Sequence, residues 1–528
     1  MIVKFDPNYR RSWMFPRNIR KIYPWKLAQI CQILDQVSLN NWSQEEQNEF
    51  SRLLTAGNLK SQNEIRDPKS GGARTYISQL ESLGLLYRTG KSINFTLAGK
   101  SLINFETPLK VLQMQLLNYQ YPSSYSTGRN VRIHPELRIK PFVFVLKLLK
   151  DPNVGYLTIE ELVFCAIYGH NSHCEQKILN KIANYRMALG SRANLLEFID
   201  NPRQDLYTPK ASDKNNTHKL LEEVLNVANT FKNYLISSSL AYEESGTKHI
   251  KFSEEFDDIV NHAITEIDHF ITYSPGLDEN FTRTYGAWNR KKDTTTTIER
   301  KKLSQGEAII SSQFFEYIGN TLIIDDAEIF VSKMRTDFGF TREQVMGIIS
   351  PLLPKALTFF ESKYIELSKG GIATARAFEK ATVELFEKRL GIKALHTGNR
   401  YKVGVGGYSD VMLSNLERGE CAIADTKASS YYTLPSTDYA KMLSNYIPNY
   451  KLITENKNTK LGFVLYIAGG LGGEIQTKLL SLYKESGYPV SAINAKTLIE
   501  VAQIDDIQKK QIWDIFKITK VLNTSDFQ

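Results

Sequence analysis

Two short apolar runs near the C-terminus constrain the fold of this chain most strongly. Residues 421–424 are apolar and lead directly into the acidic and basic segment 425–427, while residues 462–468 form an apolar run bounded by glycines. Runs of this length between turn residues are typical of central strands covered on both faces of a sheet. The polar turn at 415–419 indicates a hairpin ahead of the first run. The sequence therefore predicts a C-terminal α/β domain with a mixed central sheet.

Asp410, Asp425 and Lys427 form the candidate catalytic group of this domain. Two carboxylates can hold a hard divalent cation against a phosphate, because Mg²⁺ prefers oxygen ligands. A neighbouring lysine can orient an attacking water and offset the charge that develops on the phosphate. Side chains alternate along a strand, so Asp425 and Lys427 are predicted to share one face and Thr426 to occupy the other.

A helix predicted over residues 374–390 carries two further candidate carboxylates, Glu379 and Glu384. An Asp-x-Lys segment alone is weak evidence, because it occurs by chance and usually marks a solvated strand end. Its combination with an upstream acidic helix and a downstream buried strand favours a metal-dependent phosphodiesterase site.

Residues 377–500 resemble the cleavage domain of FokI, which belongs to the PD-(D/E)xK nuclease superfamily. The matching segments follow one another in the same order: AFEKATVELFEKRLGI, the turn at Asp410, ADTKAS, a Leu-Pro pair, GFVLYIAGGLGG and VSAINAKTLIE. The resemblance implies that Asp410 and Asp425 bind Mg²⁺ and that Lys427 is the catalytic lysine. Ser409 stands where the family usually has proline, a change that leaves the carboxylate in place. The predicted catalytic residues are Asp410, Asp425, Lys427, Glu384 and Glu379, and the predicted metal ligands are Asp410, Asp425 and Thr426.

Positive charge is concentrated at the N-terminus. Residues 1–150 carry 22 Lys and Arg against 10 Asp and Glu, whereas the remainder carries 44 against 47. The whole basic excess thus lies in the first 150 residues, which is typical of a domain that binds a polyanion. A solvated basic face is the alternative interpretation.

The basic region also contains patterns that favour contact with DNA. Residues 8–21 interleave arginines with Trp13 and Phe15, and arginine forks suit both phosphates and guanine edges. Residues 71–102 predict a helix, a turn and a hairpin of winged-helix type, with a protein-contact role as the alternative. The candidate DNA-binding residues are Arg10, Arg11, Arg17, Arg20, Lys21, Lys69, Arg74, Thr75, Gln79, Lys91, Arg129 and Arg132.

A second resemblance covers the N-terminal part of the chain. Two apolar helices predicted at 109–119 and 141–149, the loop between them and the segment ELVFCAIYGHN are similar in order to the recognition region of the AlwI and BstNBI type IIS endonucleases. This resemblance implies site-specific DNA binding. Residues 217–252 predict another helix and hairpin of winged type, with a less basic hairpin.

Four domains are expected in this multidomain α+β chain. They are an N-terminal arm with winged-helix recognition at 1–105, a second recognition subdomain at 106–288, a helical linker at 289–370 and the nuclease domain at 371–528. The polar, charged segment 289–302 marks one of these boundaries.

The cysteines and the apolar content suggest a cytoplasmic protein, and the resemblance to restriction endonucleases implies a bacterial or archaeal source. The four scattered cysteines offer no disulfide framework, and no apolar run approaches the roughly 18 residues of a membrane span. The N-terminus lacks the apolar core of a signal peptide. His170, His173, Cys174 and nearby Cys165 lack a second ligand pair for zinc, so they are predicted to be loop and helix-end residues.

Together these features predict a Mg²⁺-dependent type IIS restriction endonuclease. It would hydrolyse double-stranded DNA a short distance outside its recognition sequence, leaving a 5′-phosphate and a 3′-hydroxyl. The resemblance favours a short asymmetric recognition site such as GGATC or GAGTC. A strand-specific nicking enzyme and a non-catalytic winged-helix regulator remain open alternatives. The expected partners are double-stranded DNA, a second nuclease domain paired transiently on DNA, and, functionally, a cognate DNA methyltransferase.

Overall fold

The chain forms two compact units, Met1–Ile309 and Ile310–Gln528. The computed structural model describes residues 9–15, 23–57, 59, 71–104, 107–126, 132–208, 215–244, 247–289, 305–320, 327–353, 356–397, 408–454, 458–504 and 511–527. No helix in these ranges combines the length and the apolar character needed to cross a membrane.

The first unit is mainly helical, with three small two-stranded sheets. Its helices are α1 (Pro24–Asp35), α2 (Gln44–Ala56), α3 (Gly71–Ser82), α4 (Leu97–Ile103), α5 (Pro108–Asn118), α6 (Pro141–Lys150), α7 (Ile159–Tyr168), α8 (Glu175–Met187), α9 (Pro202–Asp205), α10 (Thr217–Ser237), α11 (Asp257–Thr265) and α12 (Asp278–Tyr285). Its strands are β1 (Tyr9–Arg10), β2 (Leu86–Thr89), β3 (Ser92–Phe95), β4 (Arg132–Ile133), β5 (Ala241–Glu243) and β6 (Ile250–Phe252).

Local sequence explains the helix and hairpin at α3, β2 and β3. Gly84 adopts a φ of 66° just after α3, and Gly90 adopts a φ of 61° in the hairpin turn, conformations that glycine tolerates best. β2 and β3 pair in antiparallel register from Leu86 opposite Phe95 to Thr89 opposite Ser92. The order helix, turn and hairpin agrees with the sequence, while a winged-helix role in DNA binding stays a prediction.

The second unit contains a six-stranded mixed sheet flanked by helices. Its helices are α13 (Gln305–Asn320), which spans the division between the units, α14 (Ala327–Phe338), α15 (Arg342–Ile349), α16 (Ala356–Leu367), α17 (Ala375–Lys388), α18 (Ser436–Lys441), α19 (Ile447–Asn449), α20 (Ile475–Ser486), α21 (Ala495–Ala502) and α22 (Ile512–Ile515). Its strands are β7 (Lys393–His396), β8 (Val411–Asn415), β9 (Glu420–Lys427), β10 (Lys460–Ala468), β11 (Val490–Asn494) and β12 (Val521–Leu522). A π-helical turn, Met442–Tyr446, joins α18 to α19.

The sheet order is β12-β11-β10-β9-β8-β7. β9 pairs with β10, β10 with β11 and β11 with β12 in parallel, whereas β7, β8 and β9 pair as antiparallel neighbours. The mixed central sheet predicted from the two apolar runs is therefore present, and those runs form its two long central strands, β9 and β10.

Apolar side chains fill a core on each face of the sheet. One core includes Phe378 and Leu385 of α17 with Phe463 of β10. The other includes Ile423 of β9 and Tyr466 of β10. α16 contributes three buried side chains, Phe360, Tyr364 and Leu367, to the first core. By its packing, α16 belongs with the sheet, although the sequence assigned it to a separate linker.

Candidate active site

The hairpin register brings Asp410 and Asp425 together. In the antiparallel pair of β8 and β9, Val411 lies opposite Ala424. Extending this register by one residue places Asp410 opposite Asp425 at the end of the hairpin. The Asp410 carboxylate lies near enough to raise the pKa of Asp425. The short polar turn between β8 and β9 thus sets the register that places the two carboxylates side by side.

Three hydrogen bonds fix Asp410. The Thr426 main-chain amide and hydroxyl both donate to Asp410 Oδ2, at 2.9 and 3.0 Å. The Thr397 amide, just after β7, donates to the main-chain oxygen of Asp410 at 2.9 Å. Ser409, at the usual proline position, is buried, and its main-chain oxygen accepts a hydrogen bond from the Thr397 hydroxyl. Asp410 is therefore oriented without the proline.

Asp425 is buried, with one carboxylate oxygen paired and the other unpaired. Oδ2 lies 2.9 Å from Lys427 Nζ, so the two side chains share a strand face as the alternation predicts. Oδ1 is buried and has no hydrogen-bond partner. Burial and the neighbouring Asp410 carboxylate raise the pKa of Asp425 to about 8. A site that raises a carboxyl pKa this far disfavours two negative charges unless a cation joins them.

This donor set fits a divalent cation of the magnesium type. Mg²⁺ in phosphate-processing sites is commonly held by one or two carboxylates and completes its shell with water and substrate oxygens. Asp410, Asp425 and the unpaired Oδ1 atom meet that requirement. Within the described residues, no set of three or more His, Cys, Asp or Glu side chains is arranged to hold a metal ion. The Thr426 hydroxyl serves Asp410, and direct metal contact by Thr426 stays a prediction.

Lys427 remains a cation in this environment. Burial alone lowers its pKa, but the carboxylates of Asp425, Asp410 and Asp438 together raise the pKa above the ordinary value for lysine. Its ammonium group is partly exposed, with 22% of the side chain accessible, so it can face a substrate.

Glu379 and Glu384 do not share a face of α17. Glu379 Oε2 lies 2.7 Å from His396 Nε2. Burial raises the pKa of Glu379, the contact with His396 opposes this, and the Asp410 carboxylate adds to the rise. Glu384 follows five residues later, about 140° around an α-helix with 3.6 residues per turn. The two carboxylates therefore lie on different sides of α17, and a catalytic role for either remains a prediction.

Sequence reasoning did not predict the acidic and aromatic residues that lie near Lys427. Asp438 Oδ2 lies 3.6 Å from Lys427 Nζ and accepts a hydrogen bond from the Tyr432 hydroxyl at 2.9 Å. Tyr466 lies opposite Asp425 in the parallel register of β9 and β10, and its hydroxyl is buried without a hydrogen-bond partner. The available signal was the tyrosine within an otherwise apolar central strand, together with an aspartate in the first turn of the following helix.

Two predicted DNA contacts in the first unit need correction. Gln79 is fully buried and donates to the Tyr234 hydroxyl on α10, because a second helix covers that flank of α3. Its predicted place on the outer helix face is wrong. Arg10 is 5% exposed, and its guanidinium is directed to the Met14 sulfur. A direct phosphate contact by Arg10 does not fit this burial.

The other DNA-binding candidates in the first unit remain predictions. Arg74, Lys91 and Arg132 are exposed, Thr75 is half-buried, and Arg11 lies 3.1 Å from His134 Nε2. Five more lie outside the described residues: Arg17, Arg20, Lys21, Lys69 and Arg129.

The C-terminal part of the chain is similar to a known protein family. Residues 339–524 match the family described as FokI, cleavage domain. This range contains all six strands of the mixed sheet and every candidate catalytic residue. No curated protein matches the sequence.

Solved structures align at low identity. Restriction endonuclease FokI is 13% identical, with 99% of this chain and 100% of that chain covered and a TM-score of 0.28. FokI bound to DNA is 13% identical, with 94% and 97% covered and a TM-score of 0.29. The BpuJ1 endonuclease binding domain, in complex with pyrene- and phenanthrene-modified DNA, is 12% identical, with 54% and 99% covered and a TM-score of 0.36. These values add no functional argument to the family match.

Proposed function

We propose that this chain is a type IIS restriction endonuclease that hydrolyses double-stranded DNA a short distance outside a short asymmetric recognition sequence. The observation that carries the proposal is the convergence of Asp410, Asp425 and Lys427 at one end of the β8–β9 hairpin. The FokI cleavage-domain match over the same residues supports it.

Asp410 and Asp425 are proposed to hold Mg²⁺ between them. When bound, the cation supplies Lewis-acid stabilisation of charge on the phosphate. The chain prepares this site by holding Asp410 through Thr426 and by leaving Asp425 Oδ1 without a protein partner. The ligands are thus pre-oriented, and the repulsion between the buried carboxylate of Asp425 and that of Asp410 favours cation binding.

Lys427 is proposed to act on the reacting phosphate. As a permanent cation beside the carboxylates, it donates hydrogen bonds toward the attacking water and the non-bridging phosphate oxygens. Water attack in line with the leaving 3′-oxygen produces a 5′-phosphate and a 3′-hydroxyl.

Sequence recognition is proposed to lie in the first unit. The basic excess falls within residues 1–150, whereas the candidate catalytic residues lie in the second unit. An enzyme that reads bases with one unit and cuts with another is expected to cleave outside the sequence that it recognises. A cognate DNA methyltransferase that protects that sequence belongs to the same proposal.

A strand-specific nicking enzyme is the second candidate function. One set of Asp410, Asp425 and Lys427 serves one scissile phosphate, and a duplex has two strands. Lys441, at a position aligned with the pairing helix of FokI-type domains, is exposed. Two lysines facing each other across a two-fold axis repel, which favours weak pairing and nicked products.

The test is cleavage of supercoiled plasmid DNA of known sequence by the full-length protein, with Mg²⁺ or with EDTA. We expect cuts at defined distances from one sequence in Mg²⁺ and none in EDTA. Asp425→Ala and Lys427→Ala should abolish cutting while leaving DNA affinity nearly unchanged. Asp514→Asn is a matched control, because Asp514 forms an exposed ion pair with Arg418. Intact DNA with the wild-type protein, or full activity of either catalytic variant, would refute the proposal.

A further inference from the structure

Lys427 has a second carboxylate partner in addition to Asp425. Its Nζ atom lies 2.9 Å from Asp425 Oδ2 and 3.6 Å from Asp438 Oδ2. Asp425 belongs to the candidate cation site, whereas Asp438 lies in the first turn of α18. The ammonium group is therefore placed between a carboxylate that a cation would share and one that remains available to the lysine.

Tyr432 fixes the orientation of Asp438. Its hydroxyl donates to the Oδ2 atom of Asp438, the oxygen nearest to Lys427, at 2.9 Å. The Tyr432 main chain is bound on both sides, donating to the Gly470 oxygen and accepting from the Gly472 amide, each at 2.9 Å. Its ring packs against Tyr466 with centroids 5.9 Å apart. The hydroxyl is thus presented from a buried, doubly anchored residue.

The ion pair between Lys427 and Asp438 matters for the orientation of Lys427 more than for the stability of the fold. The side chains of Lys427 and Asp438 are 22% and 25% exposed, and solvent screens an ion pair with that exposure. Its contribution to folding is therefore small. A lysine with several rotatable bonds nevertheless needs a fixed partner to keep its donors aimed at a phosphate, since small displacements of a catalytic group reduce rates strongly.

We infer that Asp438, oriented by Tyr432, is a positioning residue that holds Lys427 in place for DNA hydrolysis. The inference rests on the proposed nuclease function and adds two residues to it. When a cation draws on the charge of Asp425, Asp438 retains the ammonium group. Tyr432 acts through Asp438 and does not contact the substrate.

The experiment measures single-turnover cleavage of a supercoiled plasmid of known sequence by excess full-length enzyme at saturating Mg²⁺. Asp438→Asn keeps the shape and an acceptor for Tyr432 but removes the charge, and it should slow cleavage about 10- to 100-fold. Asp438→Glu should restore part of the rate. Tyr432→Phe should slow cleavage less, and it should add nothing in an Asp438→Ala background, because its effect passes through Asp438.

Tyr439→Phe is the matched control. It removes a tyrosine hydroxyl from α18, the helix that carries Asp438. That hydroxyl donates a hydrogen bond to Glu485 at 2.7 Å. It should cleave at the wild-type rate. Affinity for the same plasmid in EDTA should stay within about twofold for all variants, and the unfolding midpoint of Asp438→Asn should stay within about 2 °C of wild type, as for a surface substitution.

The outcomes separate this inference from the proposed function. Wild-type rates for Asp438→Asn alongside an inactive Asp425→Ala would overturn the positioning role and leave the nuclease proposal intact. Rate losses for Asp438→Asn that match losses of stability or DNA affinity would assign Asp438 a structural role and also overturn the inference. If the wild-type protein leaves the plasmid intact, the proposed function and the inference fail together.

Discussion

Thr426 binds Asp410 twice, through its amide at 2.9 Å and its hydroxyl at 3.0 Å, and both bonds meet the same Oδ2 atom. Neighbouring residues of β9 thus have different roles. Asp425 contacts Lys427, and Thr426 binds the carboxylate of Asp410, which precedes β8. The usual proline is absent, so this pair of bonds replaces it as the restraint on Asp410.

Thr426→Val should therefore weaken the site while keeping the strand. The substitution preserves shape and β-branching but removes one hydrogen bond to a charged acceptor, a loss of about 1.5–3 kcal/mol. We expect at least about tenfold slower cleavage at limiting Mg²⁺. Thr426→Ser retains the hydroxyl and should cleave nearly as fast as wild type. Equal rates for the valine and serine variants would show that the hydroxyl is dispensable.

The pKa of Asp425 predicts how stability depends on pH in the metal-free protein. Burial and Asp410 raise this pKa from 3.8 to about 8, so the folded state holds the proton more tightly than the unfolded state does. Stability must then fall as pH rises between these two values, because the folded state binds more protons across that window. Mg²⁺ should recover more stability at pH 8 than at pH 5.

Calorimetry of the full-length protein in EDTA from pH 4 to pH 8 tests this linkage. The transition of the second unit should move to lower temperature as pH rises, and Asp425→Asn should flatten that dependence. Glu384→Gln, which leaves Asp410 and Asp425 unchanged, is the control. An identical pH dependence in wild type and Asp425→Asn would contradict the assignment.

The core of the site follows from local sequence, whereas its surroundings depend on packing. Asp410 and Asp425 meet because one hairpin turn fixes an antiparallel register, and alternation then places Lys427 beside Asp425. Both the hairpin register and the alternation of side chains along a strand can be predicted from local sequence. Tyr466 lies beside Asp425 because β10 pairs in parallel with β9, and Asp438 lies near Lys427 because of how α18 packs. Both positions depend on long-range contacts.

The same distinction explains the errors in the first unit. The apolar spacing of Tyr76, Leu80 and Leu83 predicts a helical stripe; Leu80 on α3 and Leu83 just after it are buried, and Tyr76 is half-buried. It does not reveal that α10 covers a second flank of that helix and buries Gln79. Likewise, the charge of Arg10 suggests exposure, while its pairing in β1 opposite Ile133 places it in the interior. A single sequence gives the pattern of an element but not the number of neighbours around it.

Glu379 and Glu384 can be separated by experiment. Because Glu379 contacts His396 and the Asp410 carboxylate acts on its pKa, Glu379→Gln should lower the cleavage rate. Glu384→Gln, on a different face of α17, should leave the rate within about threefold, as for a substitution outside the reacting group. Single-turnover rates at fixed Mg²⁺ provide the measurement. A larger loss for Glu384→Gln would reverse the order inferred from the helix geometry.

The basic residues of the first unit should determine how DNA affinity responds to salt. Lys91 lies exposed in the β2–β3 turn and Arg74 lies exposed on α3. If each neutralises one phosphate, Lys91→Ala or Arg74→Ala should reduce the log–log salt slope by about 0.9. Arg192→Ala is the control, since Arg192 forms an exposed ion pair with Glu222. Unchanged slopes in both test variants would place the DNA-binding surface elsewhere in the chain.

Assembly on DNA should decide between double-strand cleavage and nicking. The resemblance to the FokI cleavage domain implies pairing through an Asp and an Arg four residues apart, and the positions that correspond to them by that resemblance are Lys441 and Asn445. Lys441 is exposed at the end of α18, and Asn445 lies in the π-helical turn that follows, beside the Ser444 hydroxyl. Neither residue can reproduce the ion pair, so we expect a monomer that pairs weakly and only when bound to DNA.

The rate of double-strand breakage should then rise with enzyme concentration at fixed DNA, and each break should follow a nicked intermediate. Lys441→Ala removes the repulsion between the two lysines, so it should lower the enzyme concentration that double-strand cleavage requires. Nicks alone at every concentration would favour the nicking enzyme, whereas first-order double-strand cutting by a demonstrated monomer without a nicked intermediate would show that pairing is not needed.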